Sequence, residues 1–159
     1  MKIQKYIATS LGAGYSSIAP GTVGAVFGII LLFFFNKLLL SLNCNKVCLL
    51  ASDFVAIIFV TYFGVKAINK VHKIWPHDDN KIVIDEVVGV WIAALWLPVT
   101  WKYYFLAFLT FRFFDIVKPL FIRRFDKMKT DWSVMLDDIL AGVYALIVMQ
   151  IIFFLNLIK

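Results

Sequence analysis

Cysteine and histidine are nearly absent from this chain, with two of each in 159 residues. Cys44 and Cys48 are four apart rather than in a CxxC pair, and His72 and His77 lie far along the chain. That spacing builds neither a tetrahedral zinc site nor a dithiol redox centre, so a structural role is expected of both cysteines. Glycine (eight) and proline (four) are also scarce. They gather at the ends of apolar runs and form no linker, repeat or low-complexity tract. No GKS or GKT follows the glycine-rich stretch near the N-terminus, which excludes a P-loop. After Lys2 and Lys5 the next strongly apolar run begins only near Val23, with no short apolar core ahead of a small-residue cleavage site. A cleaved signal peptide is therefore not expected.

Apolar surface is what the chain has in excess. Its hydrophobic fraction is 62% and its mean hydropathy +0.88, against roughly 45–50% apolar residues in globular proteins. A soluble domain of this length has too little interior to hide so much, so the composition predicts a single-domain integral membrane protein over residues 1–159. Five apolar runs stand out, at about Val23–Leu42, Val47–Val65, Val87–Val99, Tyr103–Val117 and Ile139–Ile158. The first, second and fifth approach the ~20 residues of a spanning helix. The third and fourth are shorter and fit thin spans, a re-entrant hairpin, or helices that continue to headgroup level. The fold class expected is all-α and multihelical.

A net charge of +6 and a pI near 9.4 would suggest nucleic acid in a soluble protein. In a membrane chain they indicate basic cytoplasmic loops and anionic headgroups, and no nucleic-acid partner. If all five runs span, the other side of the membrane receives only Lys37, Lys46, Lys102 and Lys159, and the remaining twelve of sixteen basic residues share the side of the N-terminus. The bias predicts that this side is cytoplasmic.

Four polar motifs fall on that same side: GAGYSSIAPGTVG before the first run, IDEVVG at the start of the third, FRFFDIVKP at the end of the fourth and LDDILAG at the start of the fifth. Asp85, Glu86, Asp137 and Asp138 suit the positive end of a helix dipole, and capping is the plain reading. Two adjacent acids at each of two helix starts, with Asp115 at a helix end, would also repel one another in low dielectric unless a cation were present. Mg²⁺ is the cation that all-oxygen ligands suit. Arg112, Asp115 and Lys118 recur every three residues and lie within a 120° arc of one helix. They read either as an intrahelical ion pair with Lys118 snorkelling, or as a phosphate-holding pair beside a carboxylate. The glycine-rich stretch reads as a loop with Thr22 as helix cap, or as a backbone cradle for an anion at Gly21 and Thr22. Asp53, inside the second run without an obvious partner, is left outside the site.

Together these motifs resemble the phosphatidylglycerophosphatase A family. The resemblance rests on Gly14, Ser16, Ala19-Pro20-Gly21-Thr22 and Gly24; on Asp85-Glu86-Val87-Val88-Gly89; on Phe111-Arg112, Phe114-Asp115 and Lys118-Pro119; and on Asp137-Asp138 with Ala141-Gly142. Four motifs in the family's order form a specific signal. Ser17, Leu120-Phe121 and Lys129-Thr130-Asp131-Trp132 depart from the family pattern without removing a charged motif residue.

The resemblance implies a multi-pass inner-membrane phosphatase, its site facing the cytoplasm, that converts phosphatidylglycerophosphate in the bilayer to phosphatidylglycerol with Mg²⁺. The residue reading that goes with it has Asp85, Glu86, Asp137 and Asp138 as metal ligands, Asp115 as ligand or water-orienting base, and Arg112 and Lys118 on the phosphate. Gly21 and Thr22 line the pocket. Oligomeric state is not specified. The rival expectation is a non-enzymatic cation transporter, since intramembrane acids also mark ion paths. Transporter sites lie near the bilayer midplane, whereas these acids sit at helix ends.

Overall fold

The computed structural model describes residues 2–76, 79–119, 121–126, 128, 130–155 and 157, and of Asp126 only the backbone. His77, Leu120, Lys127, Lys129, Ile158 and Lys159, all used in the sequence reading, lie outside the described residues. The described residues are mainly helical, with no strand among them. The helices are α1 (Lys2–Ala8), α2 (Pro20–Ser41), α3 (Lys46–Val71), α4 (Ile84–Ala93), α5 (Trp101–Val117), α6 (Ile122–Asp126) and α7 (Ser133–Phe154), with a 3₁₀ turn at Ala13–Tyr15.

Three of them, α2, α3 and α7, are long and apolar enough to cross a membrane. They carry a belt of exposed side chains that includes Phe34, Val55, Ile58, Ile147 and Phe154. A surface of this kind belongs in hydrocarbon. The chain is thus a multihelical membrane protein with two shorter apolar helices, as its hydropathy indicates.

The helix ends follow local chemistry. Pro20 opens α2 at N1, where its missing N–H costs nothing. At the other end Asn43 takes the left-handed conformation, φ 60°. Its N–H bonds Leu40 O at 3.0 Å and that of Cys44 bonds Leu39 O at 3.0 Å, a Schellman closure. Asn45 then caps α3, its side chain accepting from Cys48 N at 2.9 Å. Cys44 and Cys48 form a disulfide across this short connection.

The two short runs turn out differently. The third becomes α4, ten residues or about 15 Å, all buried except half-buried Glu86. It packs between α2, α3, α5 and α7 and is the centre of the core. Trp96, in the left-handed region at φ 63°, and Pro98 stop it. Irregular backbone then leads to α5. Such backbone is tolerated at depth only when buried in protein, and Gln150 Nε2 donates to Leu95 O at 2.9 Å. The fourth run becomes α5, 17 residues or about 25 Å.

Small residues set the spacing around α4. A Cβ on Gly142 of α7 would lie 2.4 Å from Gly89 O of α4, and one on Gly89 would lie 2.4 Å from the Phe111 ring. Trp91 Nε1 donates to Gly28 O of α2 at 2.8 Å. Close backbone approach of this kind is how helices associate where no water is present to drive them together. Gly142→Val should therefore push α7 off α4 and cost ~1–3 kcal/mol, the usual range for overpacking. Thermal unfolding in detergent should show a lowered midpoint, and an unchanged midpoint would refute the contact.

Candidate active site

Two helix starts and one helix end meet beside the N-terminal loop. Ile84, the first residue of α4, follows Val83, whose N–H bonds Ala8 O at 2.9 Å. Ser10 Oγ donates to Val83 O at 3.3 Å. Gly14 lies against the Lys81 carbonyl, which a Cβ there would meet at 2.0 Å. The N-terminal segment thereby holds the chain that delivers Asp85 and Glu86.

Asp85 and Glu86 occupy the first turn of α4, whose N-cap is Val83 with no side-chain cap. Asp85 Oδ1 accepts from Glu86 N at 3.1 Å. Asp137 and Asp138 are not at the mouth of their helix as the hydropathy suggested. Ser133 begins α7, so both lie beyond the first four residues, whose N–H groups are the ones a cap satisfies. Capping therefore does not account for this pair. Ligand atoms of Asp85, Glu86 and Asp138 lie within 4.8 Å of one another. Asp85 and Asp138 are buried, at 6% and 4% exposure.

Asp137 is outside that triad and accepts from Lys118 Nζ at 2.8 Å. Lys118 is not on the helical arc with Arg112 and Asp115. α5 ends at Val117, and Lys118 is its left-handed C-cap, φ 46°, with its N–H on Phe114 O at 2.8 Å. That kink ahead of Pro119 turns the lysine across to α7. Arg112 and Asp115 form the i,i+3 ion pair that the spacing allowed. Arg112 Nε and Glu86 Oε2 are buried without a hydrogen-bond partner among the described residues.

Gly21 touches the acids directly. A Cβ there would sit 2.2 Å from Glu86 Oε1 and 3.4 Å from Arg112 Nη1. Thr22 does not cap α2, whose N-cap is Ala19 at φ 45°, and it is not among the residues lining the cleft.

These groups line a cleft of about 390 Å³. Its walls carry Asp115, Asp137 and Asp79 besides the triad, with Arg112 and Lys118 as the cations. Among the described residues lining it, six carboxylates face two cations. Asp79 and Asn80 come from the connection before α4 and were not singled out from the sequence. The Asp79 side chain pairs with Lys81 at 3.2 Å. α4 is too short to cross a bilayer, and its acids respond to local burial. Burial first, then Glu86 and the α7 aspartates, pushes Asp85 well above the usual carboxylate range. Burial also raises Glu86, Asp115 adds to the rise, and Arg112 opposes it. Acids held up in this way are poised to release their protons to solvent when a cation binds.

A family model described as phosphatidylglycerophosphatase A matches residues 6–153. The chain belongs to the phosphatidylglycerophosphatase A family. A phosphatidylglycerophosphatase A of Haemophilus influenzae is 40% identical over 145 residues, covering 89% of this chain and 83% of the relative. The Escherichia coli protein of that name is 32% identical over 140 residues, covering 86% and 76%. A Bacteroides thetaiotaomicron protein provisionally named phosphatidylinositol-3-phosphatase is 39% identical over 148 residues, covering 91% and 90%. No solved structure gives a significant match. Membership makes the chain a membrane-associated lipid phosphatase and sets the transporter alternative aside.

The Gly21 contact yields a prediction. The obstacle to a Cβ is the tip of a side chain, so Gly21→Ala displaces Glu86 rather than the backbone. Phosphate release should fall by about tenfold or more, since misplacing a site group by ~1 Å costs up to 10²-fold. The thermal midpoint should hold. Full activity in G21A would show that the contact does not matter to the chemistry.

Proposed function

We propose that the protein hydrolyses the terminal phosphate of phosphatidylglycerophosphate, leaving phosphatidylglycerol, and that it does so with Mg²⁺. The observation that carries the proposal is the triad of Asp85, Glu86 and Asp138, from two helices, within 4.8 Å. Glu86 Oε2 is left unsatisfied in a cleft with an excess of carboxylates. An all-oxygen, acid-rich donor set, with no thiol or imidazole among the described residues that line the cleft, fits a hard divalent cation.

Asp85, Glu86 and Asp138 would hold the Mg²⁺, and Asp137 would keep Lys118 in place beside them. The ion would supply charge neutralisation at the phosphoryl oxygens and a lowered pKa for bound water. The remaining roles fall to the chain itself. Arg112 engages Asp115 through Nη1, and its Nε has no partner among the described residues, so that N–H remains to donate to a phosphate oxygen. Lys118 adds a point charge. Asp115, held by Arg112, is the group to orient water toward phosphorus. The cleft opens at helix ends, where a headgroup can meet it while the acyl chains stay in the bilayer.

We place this end at the cytoplasmic face. The positive-inside bias supports that orientation. So does the Cys44–Cys48 disulfide between α2 and α3, at the opposite end of the helices, since disulfides persist on the oxidising side of a membrane.

The test is phosphate release by purified protein from phosphatidylglycerophosphate, with phosphatidylinositol 3-phosphate as comparison, each with Mg²⁺ and with chelator. Release from phosphatidylglycerophosphate should dominate and vanish with chelator. No release in either condition sinks the assignment, and dominant release from the inositol lipid reassigns the headgroup. Asp138→Asn should lower kcat by at least ~10²-fold, in the range of removing one electrostatic group from a transition state, while the protein still inserts. Arg112→Lys should weaken KM and kcat together, since lysine cannot replace the fork.

A further inference from the structure

At the opposite end of the helices lies a second polar site that the phosphatase chemistry does not use. Asn36 of α2, Asp53 of α3 and Tyr104 of α5 meet inside the apolar core, at 2%, 6% and 1% exposure. Asn36 Nδ2 donates to Asp53 Oδ2 at 3.2 Å and to Tyr104 Oη at 2.8 Å. Both donor hydrogens of that amide are then engaged. Asn36 Oδ1 and Asp53 Oδ1 are buried acceptors with no partner among the described residues. A carboxylate at this depth is costly unless a cation or donor reaches it.

Asn36 and Asp53 line a cleft of about 290 Å³. Its other walls are mainly apolar, from Leu40, Leu50, Trp96, Leu97, Val99 and Phe153. One cation shares it, Lys46 in the first turn of α3. Lys46 and Asp53 are seven residues apart on one face of α3, about 10 Å along its axis. The cleft therefore presents positive charge at its rim, reinforced by the α3 N-terminus, and negative charge at its floor. Exposed Trp96 and Trp101 mark this end as interfacial.

We infer that this cleft binds the headgroup of a zwitterionic aminophospholipid, its phosphate against Lys46 and its primary ammonium donating to Asp53 Oδ1 and Asn36 Oδ1. Charge order, the two orphaned acceptors and the apolar walls all match such a molecule. A bare inorganic cation would leave the rim and walls without a role. The site is separate from the acidic cleft, so its fate is independent of the substrate assignment.

Native mass spectrometry of the intact protein, titrated with phosphatidylethanolamine and phosphatidylcholine of identical acyl chains, tests this. The trimethylammonium of the second has no N–H to donate. Wild type should retain the first about tenfold better, the scale of a charge-assisted hydrogen bond. Asp53→Asn should bring the two within about twofold. Lys46→Gln, at an exposed position that does not threaten folding, should weaken retention of both lipids several-fold by removing the shared phosphate contact. Equal retention by wild type, a preference that survives in D53N, or unchanged retention in K46Q would each overturn the proposal. So would displacement of the lipid by sodium or ammonium chloride at constant ionic strength, which would make this a small-cation site.

Discussion

The crossing of α4 and α7 at Gly89 and Gly142 is the contact on which the rest depends. A methyl group on either glycine would meet the other helix or the Phe111 ring at 2.4 Å. Asp85 lies one turn before Gly89, and Asp138 one turn before Gly142. Both helices run inward from the same end of the molecule, so the backbone contact brings the two aspartates face to face. Repulsion between them would drive the helices apart, and the glycine contact opposes it. Binding of a cation would remove the strain that burial imposes on these acids, which is how a site of this kind couples ligand to fold.

α4 accounts for much of the remaining architecture. A ten-residue helix cannot satisfy a bilayer alone, and it survives here because the longer α2, α3 and α7, with α5, cover it. Its polar start is thereby pinned at the level of the helix ends. Its blunt finish is followed by irregular backbone, where buried Leu95 presents its carbonyl to Gln150. The same arrangement leaves room at the far end for Asn36, Asp53 and Tyr104 to meet. Asp53, without an obvious partner along the chain, acquires one only when α2 folds beside α3.

The motif residues were legible because their chemistry is out of place. Acids beside apolar runs, an arginine inside an aromatic helix and glycines ahead of a span are costly unless used. The polar residues of the connection before α4 were not legible, because Asp79 and Asn80 look like any solvated loop. Nor was the division of labour within the aspartate pair. Asp137 goes to Lys118 and Asp138 to the triad because adjacent residues on a helix point about 100° apart. Lys118 left the expected arc because the residue ahead of Pro119 is pushed out of the right-handed helical region, here into the left-handed one. α7 starts a turn before the apolar run read from the sequence, since the Asp137-Asp138 pair cuts Ser133–Leu136 off from that run although all of it is one helix.

Composition and hydrophobic runs alone determined that this is a helical membrane protein, because apolar length against bilayer thickness is a property of the chain itself. The order and residue types of the four motifs likewise carried the resemblance to the family, since motif order and residue identity are properties of the chain itself. Tertiary structure alone decided which carboxylates share a centre, which are neutralised by Arg112 or Lys118, and that the third run is a buried half-helix. Those outcomes depend on distances between residues far apart in sequence, set by close contacts at Gly21, Gly89 and Gly142 that leave no periodic trace in the chain.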